Sequence, residues 1–122
     1  MINYNQMVVD QISDADVDRL FHALADATRR DIVRRALVGE HSISDLARGY
    51  AMSMTAVQKH VAVLEGAGLV SKQRHGREQR VVGNVEAVQR AQRLLDSLEQ
   101  LWRDRFVRIG SLLAEPNQEG KP

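Results

Sequence analysis

The sequence predicts a mostly α-helical fold with one small β-hairpin. Apolar residues recur at three- and four-residue steps through five separate stretches, the signature of helices with one face on a core. Of the 122 residues 43% are hydrophobic but only 4% aromatic, so the core must be built from Leu, Val, Ile and Ala, the usual material of helix packing. Only LVSKQR and EQRVVGN, on either side of His75-Gly76-Arg77, have the short β-branched character of paired strands. A chain of this length suits a single domain.

Residues 14–25 place Val17, Leu20, Phe21 and Leu24 on one side, with Ser13 or Asp14 as the N-terminal cap and acids in the first turn. Asp26 caps a second helix whose apolar face is Ile32, Val33, Ala36 and Leu37, and Gly39 ends it as a C-terminal glycine. Ser42, with Asp45 three residues on, opens a short helix over about 43–50 that Gly49 stops. Ser53 caps the next helix, with Met52 placed to staple against Val57, and Gly66-Ala67-Gly68 closes it. Beyond Asn84, another cap, Val88, Ala91, Leu95, Leu98, Trp102, Phe106, Ile109 and Leu113 mark one long C-terminal helix.

The organisation expected is an N-terminal segment (1–13), a core (14–83), a long helix of the same domain (84–114) and a flexible tail (115–122) that carries both prolines. No internal repeat is present.

Composition narrows function. The absence of cysteine removes disulfides, thiolate metal sites and cysteine nucleophiles, and fits a reducing compartment. No apolar run reaches membrane-spanning length and the N-terminus lacks a signal-peptide pattern, so the chain is expected to be cytoplasmic and not membrane-bound. His22, His41, His60 and His75 lack the spacing of a metal cluster. Neither a glycine-rich phosphate loop nor a nucleophile elbow occurs, so no enzyme activity, metal or cofactor is expected.

Net charge is only +1, yet KQRHGREQR (72–80) holds Lys72, Arg74, Arg77 and Arg80 against the single acid Glu78. A short helix, a tight turn, a helix and then a basic hairpin is the order of a winged helix-turn-helix, whose second helix fits the major groove of double-stranded DNA. The N-terminal turn of that helix offers backbone N–H groups and the Ser53 and Thr55 hydroxyls to phosphates. Gln58 can reach adenine and Lys59 guanine, and Met54 lies on the same turn. His60 has two readings, a phosphate contact or packing over the turn at the core's edge. Arg74, Arg77 and Arg80 are the wing cations, although strand alternation need not turn them all one way. Arg29 is read as structural, tying down the helix start.

ALADATRRDIV (23–33), SISDLA (42–47), MSMTAVQKHVAVLEGAGLV (52–70) and the basic wing resemble, in that order, the ArsR-type bacterial transcriptional repressors. The resemblance covers roughly residues 17–83 and implies a homodimer that binds an operator through two winged helix-turn-helix units, joined by its first and last helices. Metal-sensing members carry a Cys-x-Cys pair where Ser42-Ile43-Ser44 stands, and hydroxyls are poor ligands for soft ions. A second family site uses Asp and His of the last helix, but residues 84–114 contain no histidine. Both metal sites are therefore absent, which leaves three candidates for the release signal: a small molecule in the dimer crevice, a partner protein, or a change in protein level alone.

Leu95, Leu98, Trp102, Phe106 and Ile109 form the expected dimer surface, since an apolar stripe this wide is costly to leave in water. The expected function is thus a near-palindromic operator bound by a homodimeric repressor. The sequence leaves two alternatives: a winged helix that docks a protein, and a DNA-binding activator of the same fold.

Overall fold

The structure, a computed structural model, describes residues 13–119. The expected N-terminal segment up to residue 12 and the last three residues of the tail lie outside the described part. The elements are α1 (Asp14–Leu24), α2 (Ala27–Val38), β1 (His41–Ser42), α3 (Ile43–Arg48), α4 (Met54–Gly66), β2 (Val70–His75), β3 (Glu78–Gly83) and α5 (Val85–Glu119). Two compact units divide the chain within α5, the first ending at Ala91 and the second beginning at Gln92.

In the first unit each helix start has a side chain that answers its orphan N–H groups. Ser13 Oγ accepts from Asp16 N at 3.1 Å, Asp26 Oδ2 from Arg29 N at 3.0 Å, and Ser53 Oγ from Ala56 N at 3.1 Å. Ser42 and Asp45 form a full capping box: Asp45 N donates to Ser42 Oγ at 3.1 Å and Ser42 N to Asp45 Oδ2 at 3.4 Å. Asn84 Oδ1 accepts from Glu86 N at 3.1 Å to open α5.

The ends differ from one another. At α4, Leu69 N donates to Leu64 O and Gly68 N to Glu65 O, both at 3.0 Å, with Gly68 at φ +77°. This is a complete Schellman motif, and its apolar contact comes from Leu64 and Leu69, both fully buried. Gly39 does not repeat it. It caps α2 with φ −171° and ψ 173°, extended backbone, because the chain passes almost directly into β1. The short α3 stops at Arg48, two residues before the expected end.

The core is assembled from every helix and both hairpin strands of the first unit: Leu20 and Ala23 of α1, Ile32, Val33 and Ala36 of α2, Leu46 of α3, Val57, Val61 and Leu64 of α4. Leu69, Val70, Val81, Ala87 and Ala91 close it from the hairpin and the first turns of α5. Each large side chain fully buried here contributes about 1.5–3 kcal/mol. Leu37, expected on the buried face, is instead 42% exposed and rests against Gly83 at the end of β3.

The sheet has three strands, not two. β1 pairs antiparallel with β3 (His41 with Val81, Ser42 with Arg80), giving the order β1-β3-β2. A two-residue segment with no periodicity cannot announce itself in sequence; it is a strand because β3 lies beside it. β2 and β3 turn at Gly76-Arg77, with His75 paired to Glu78. Gly76 has φ +65°, and among the described residues no non-glycine residue has positive φ, the pattern of a type II′ hairpin with glycine first.

In the second unit α5 is a single helix that continues to Glu119, five residues past the expected boundary at 114. Leu95, Leu98, Trp102, Phe106 and Ile109 are all exposed in the single chain, between 46% and 64%. Trp102 and Phe106 meet edge to face with centroids 6.0 Å apart.

Candidate nucleic-acid interface

The buried stripe of α4 fixes what it presents outward. Val57, Val61 and Leu64 are fully buried, so Thr55, Gln58 and Lys59 are turned to solvent, with Ser53 and Met54 exposed at the N-terminal end. Ala62 is exposed as well and completes an i, i+3, i+4, i+7 stripe with Thr55, Gln58 and Lys59. Ala62 has no polar group to mark it in the sequence, although counting the helical period from Thr55 finds it. Ser53 Oγ already accepts from the helix, and its O–H is the group left to donate to a phosphate.

His60 lies beside the turn between α1 and α2. It is half-buried, with Nδ1 at 3.4 Å from Arg29 Nη1 and 4.0 Å from Asp26 Oδ2, on the flank of α4 that faces the start of α2. The Arg29 N–H bond, aided by the Arg29 charge, holds the Asp26 carboxyl below its usual range.

The TRR segment explains itself at the same corner. Arg29 donates from Nε to Ala23 O at 2.8 Å and from Nη2 to His22 O at 2.9 Å, while Arg30 Nη1 donates to Leu24 O at 2.8 Å. Two guanidinium groups thus satisfy the orphan carbonyls at the end of α1. Arg35 does the same for α3, donating to Asp45 O and Leu46 O at 3.3 Å, and lies over the Tyr50 ring at 5.5 Å. The Tyr50 hydroxyl donates to Asp31 at 2.6 Å; burial and that bond push its pKa up. These contacts lock α3, and the turn that delivers α4, onto α2.

The hairpin register separates the wing cations. Lys72 faces Val81 and Arg74 faces Gln79 on one side, whereas Gln73 faces Arg80 and His75 faces Glu78 on the other, with Arg77 at the tip. Lys72 Nζ lies 3.6 Å from Glu65 of α4, joining the wing to the helix. Arg80 is flanked by Glu40 at 3.5 Å and Glu78 at 3.4 Å. Among the described residues Arg74 and Arg77 make no ion pair, and both are exposed.

Among the described residues no group of three or more His, Asp or Glu could hold a metal ion, and no helix is long and apolar enough to cross a membrane. Ser42, at the place of the family's Cys-x-Cys, is buried and occupied in the capping box.

A short helix locked to its neighbour, a second helix with an exposed polar stripe, and a cationic hairpin define a winged helix-turn-helix regulator. The profile described as bacterial regulatory protein, arsR family matches residues 26–72. An HTH-type transcriptional regulator of Mycobacterium tuberculosis, Rv2034, is 47% identical over 53 residues, 43% of this chain and 50% of that protein. The chain therefore matches only half the length of that relative. The solved structure of an ArsR-like transcriptional regulator from Rhodococcus sp. RHA1 superposes with TM-score 0.72 at 30% identity, covering 80% of this chain and 92% of that one. A homodimeric winged helix-turn-helix DNA-binding domain from Mycobacterium bovis shares the fold at TM-score 0.57 and 23% identity, covering 85% of this chain and 88% of that one. The chain belongs to the ArsR family of bacterial regulatory proteins.

Proposed function

We propose that the chain is a cytoplasmic, homodimeric repressor that binds a near-palindromic operator in double-stranded DNA, acting by occupancy of DNA and not by catalysis. The observation that carries this reading is the outward stripe of α4, Thr55, Gln58, Lys59 and Ala62, held in place by three fully buried residues behind it. An α-helix fits the major groove, where Gln pairs with adenine, Lys with guanine, and an apolar group contacts the thymine methyl. Ser53, Met54 and Thr55 bring the helix N-terminus to the backbone, and Arg74 and Arg77 add phosphate contacts from the wing.

The dimer follows from α5. Leaving Leu95, Leu98, Trp102, Phe106 and Ile109 in water is unfavourable by about 25 cal/mol per Å² of apolar surface, and a two-fold partner removes that surface while supplying a second reading helix. Two such helices meet successive major grooves about 34 Å apart.

Selection from random duplex DNA tests the reading. Enrichment of a two-fold site with half-site centres about one helical turn apart supports it. Failure to enrich any sequence, with a protein partner recovered by the polar face of α4, refutes it.

A further inference from the structure

The wing is electrically one-sided, and Glu40 is the residue at the centre of that asymmetry. Glu40 sits between α2 and β1, outside the hairpin in sequence, yet its Oε1 lies 3.5 Å from Arg80 Nη1 and 3.6 Å from His75 Nε2. Glu78 approaches the same guanidinium, 3.4 Å from Arg80 Nε. His75, Glu78 and Arg80 occupy one face of the hairpin by register. The Arg80 guanidinium is thus met by two carboxylates, Glu40 and Glu78. The opposite face and the tip carry Arg74 and Arg77, exposed and without an acid partner among the described residues.

A surface pair of this kind adds little to stability, but the local charge governs how a polyanion is met. A phosphate drawn to Arg80 must either displace two carboxylates or approach them. We propose that Glu40 is an affinity-limiting positioning residue: it withdraws Arg80 from the DNA-facing set, so that the wing meets phosphate through Arg74 and Arg77 alone. This rests on the DNA-binding reading above. It deepens that reading by naming a residue that weakens operator binding in the wild-type chain.

The test compares wild type, Glu40→Gln, Arg80→Gln and the double variant by fluorescence-anisotropy titration on selected operator duplex from about 50 to 200 mM salt, where counterion release dominates. Removal of the Glu40 charge is expected to strengthen binding and steepen the log K against log salt slope by about 0.9 per protomer, one added phosphate contact. Arg80→Gln alone is expected to leave affinity within twofold of wild type, and the double variant to match Arg80→Gln. Weakened binding by Arg80→Gln, or no gain from Glu40→Gln, overturns the proposal. So does a gain that persists in the double variant, because Glu40 then repels DNA without acting through Arg80. The Arg80 side-chain N–H signals of the free protein supply a DNA-independent readout: Glu40→Gln shifts them if the contact exists in solution. Failure of the wild type to bind any duplex, with those signals shifting as expected, rejects the DNA-binding reading and with it the limiting role, while the Glu40 contact itself stands.

Discussion

Arg29 donates from Nε to the main-chain oxygen of Ala23 at 2.8 Å, six residues back across the turn between α1 and α2. Ala23 is fully buried, so its carbonyl has no water to replace that donor. Arg29→Ala is expected to cost about 2 kcal/mol, the range for a charged donor to a buried acceptor, read as a lower midpoint in thermal or urea unfolding. Arg29→Lys recovers only part of this, since an ammonium cannot reproduce the forked contact to Ala23 and His22.

Stability should fall in acid through the capping carboxylates. A backbone N–H bond is the leading cause that lowers the pKa below the ordinary 3.8 in Asp26 (from Arg29) and in Asp45 (from Ser42). A group depressed in the folded state stabilises fully above its unfolded pKa and loses that contribution as pH falls through the folded value. Urea midpoints are therefore expected to be flat near neutrality and to drop below the ordinary carboxylate range. Asp45→Asn is expected to flatten the acid limb while lowering the neutral midpoint.

Much of this fold was legible because its signals are local. Ser13, Asp26, Ser42 and Ser53 precede apolar periodicity and each proves to be the cap of its helix. What was not legible depends on partners distant in sequence. β1 exists through pairing with β3, Leu37 lies against Gly83 at the end of β3, and Gly39 is extended because β1 follows. At the candidate interface the stripe Thr55, Gln58 and Lys59 could be read from the sequence. The engagement of Arg80 could not, since Glu40 lies forty residues from it in the chain.

Base reading and backbone binding are expected to separate by mutation. Gln58→Ala or Lys59→Ala should change which bases are preferred, at about 1–3 kcal/mol of discrimination for each good pair lost. Arg77→Ala should weaken all sites alike and lower the salt slope by about 0.9 per protomer. Parallel selections from random DNA with each variant check the assignment; a shifted consensus for Arg77→Ala and an unchanged one for Gln58→Ala would reverse it.

Trp102→Glu combined with Phe106→Glu places charge in the exposed stripe of α5. The expected outcome is a monomer by sedimentation velocity with helical content retained, and operator affinity reduced to that of a single half-site. A wild-type chain that sediments as a monomer at micromolar concentration removes the basis for the two-helix operator.

Operator binding by two copies of the chain is tested most directly by titrating the wild-type chain against operator duplex over rising salt. Two protomers per duplex are expected, with a steep fall in affinity with salt, roughly 0.9 in log–log slope for each phosphate contact. Binding that is indifferent to salt between low and physiological values, or no binding above that of scrambled duplex, contradicts it.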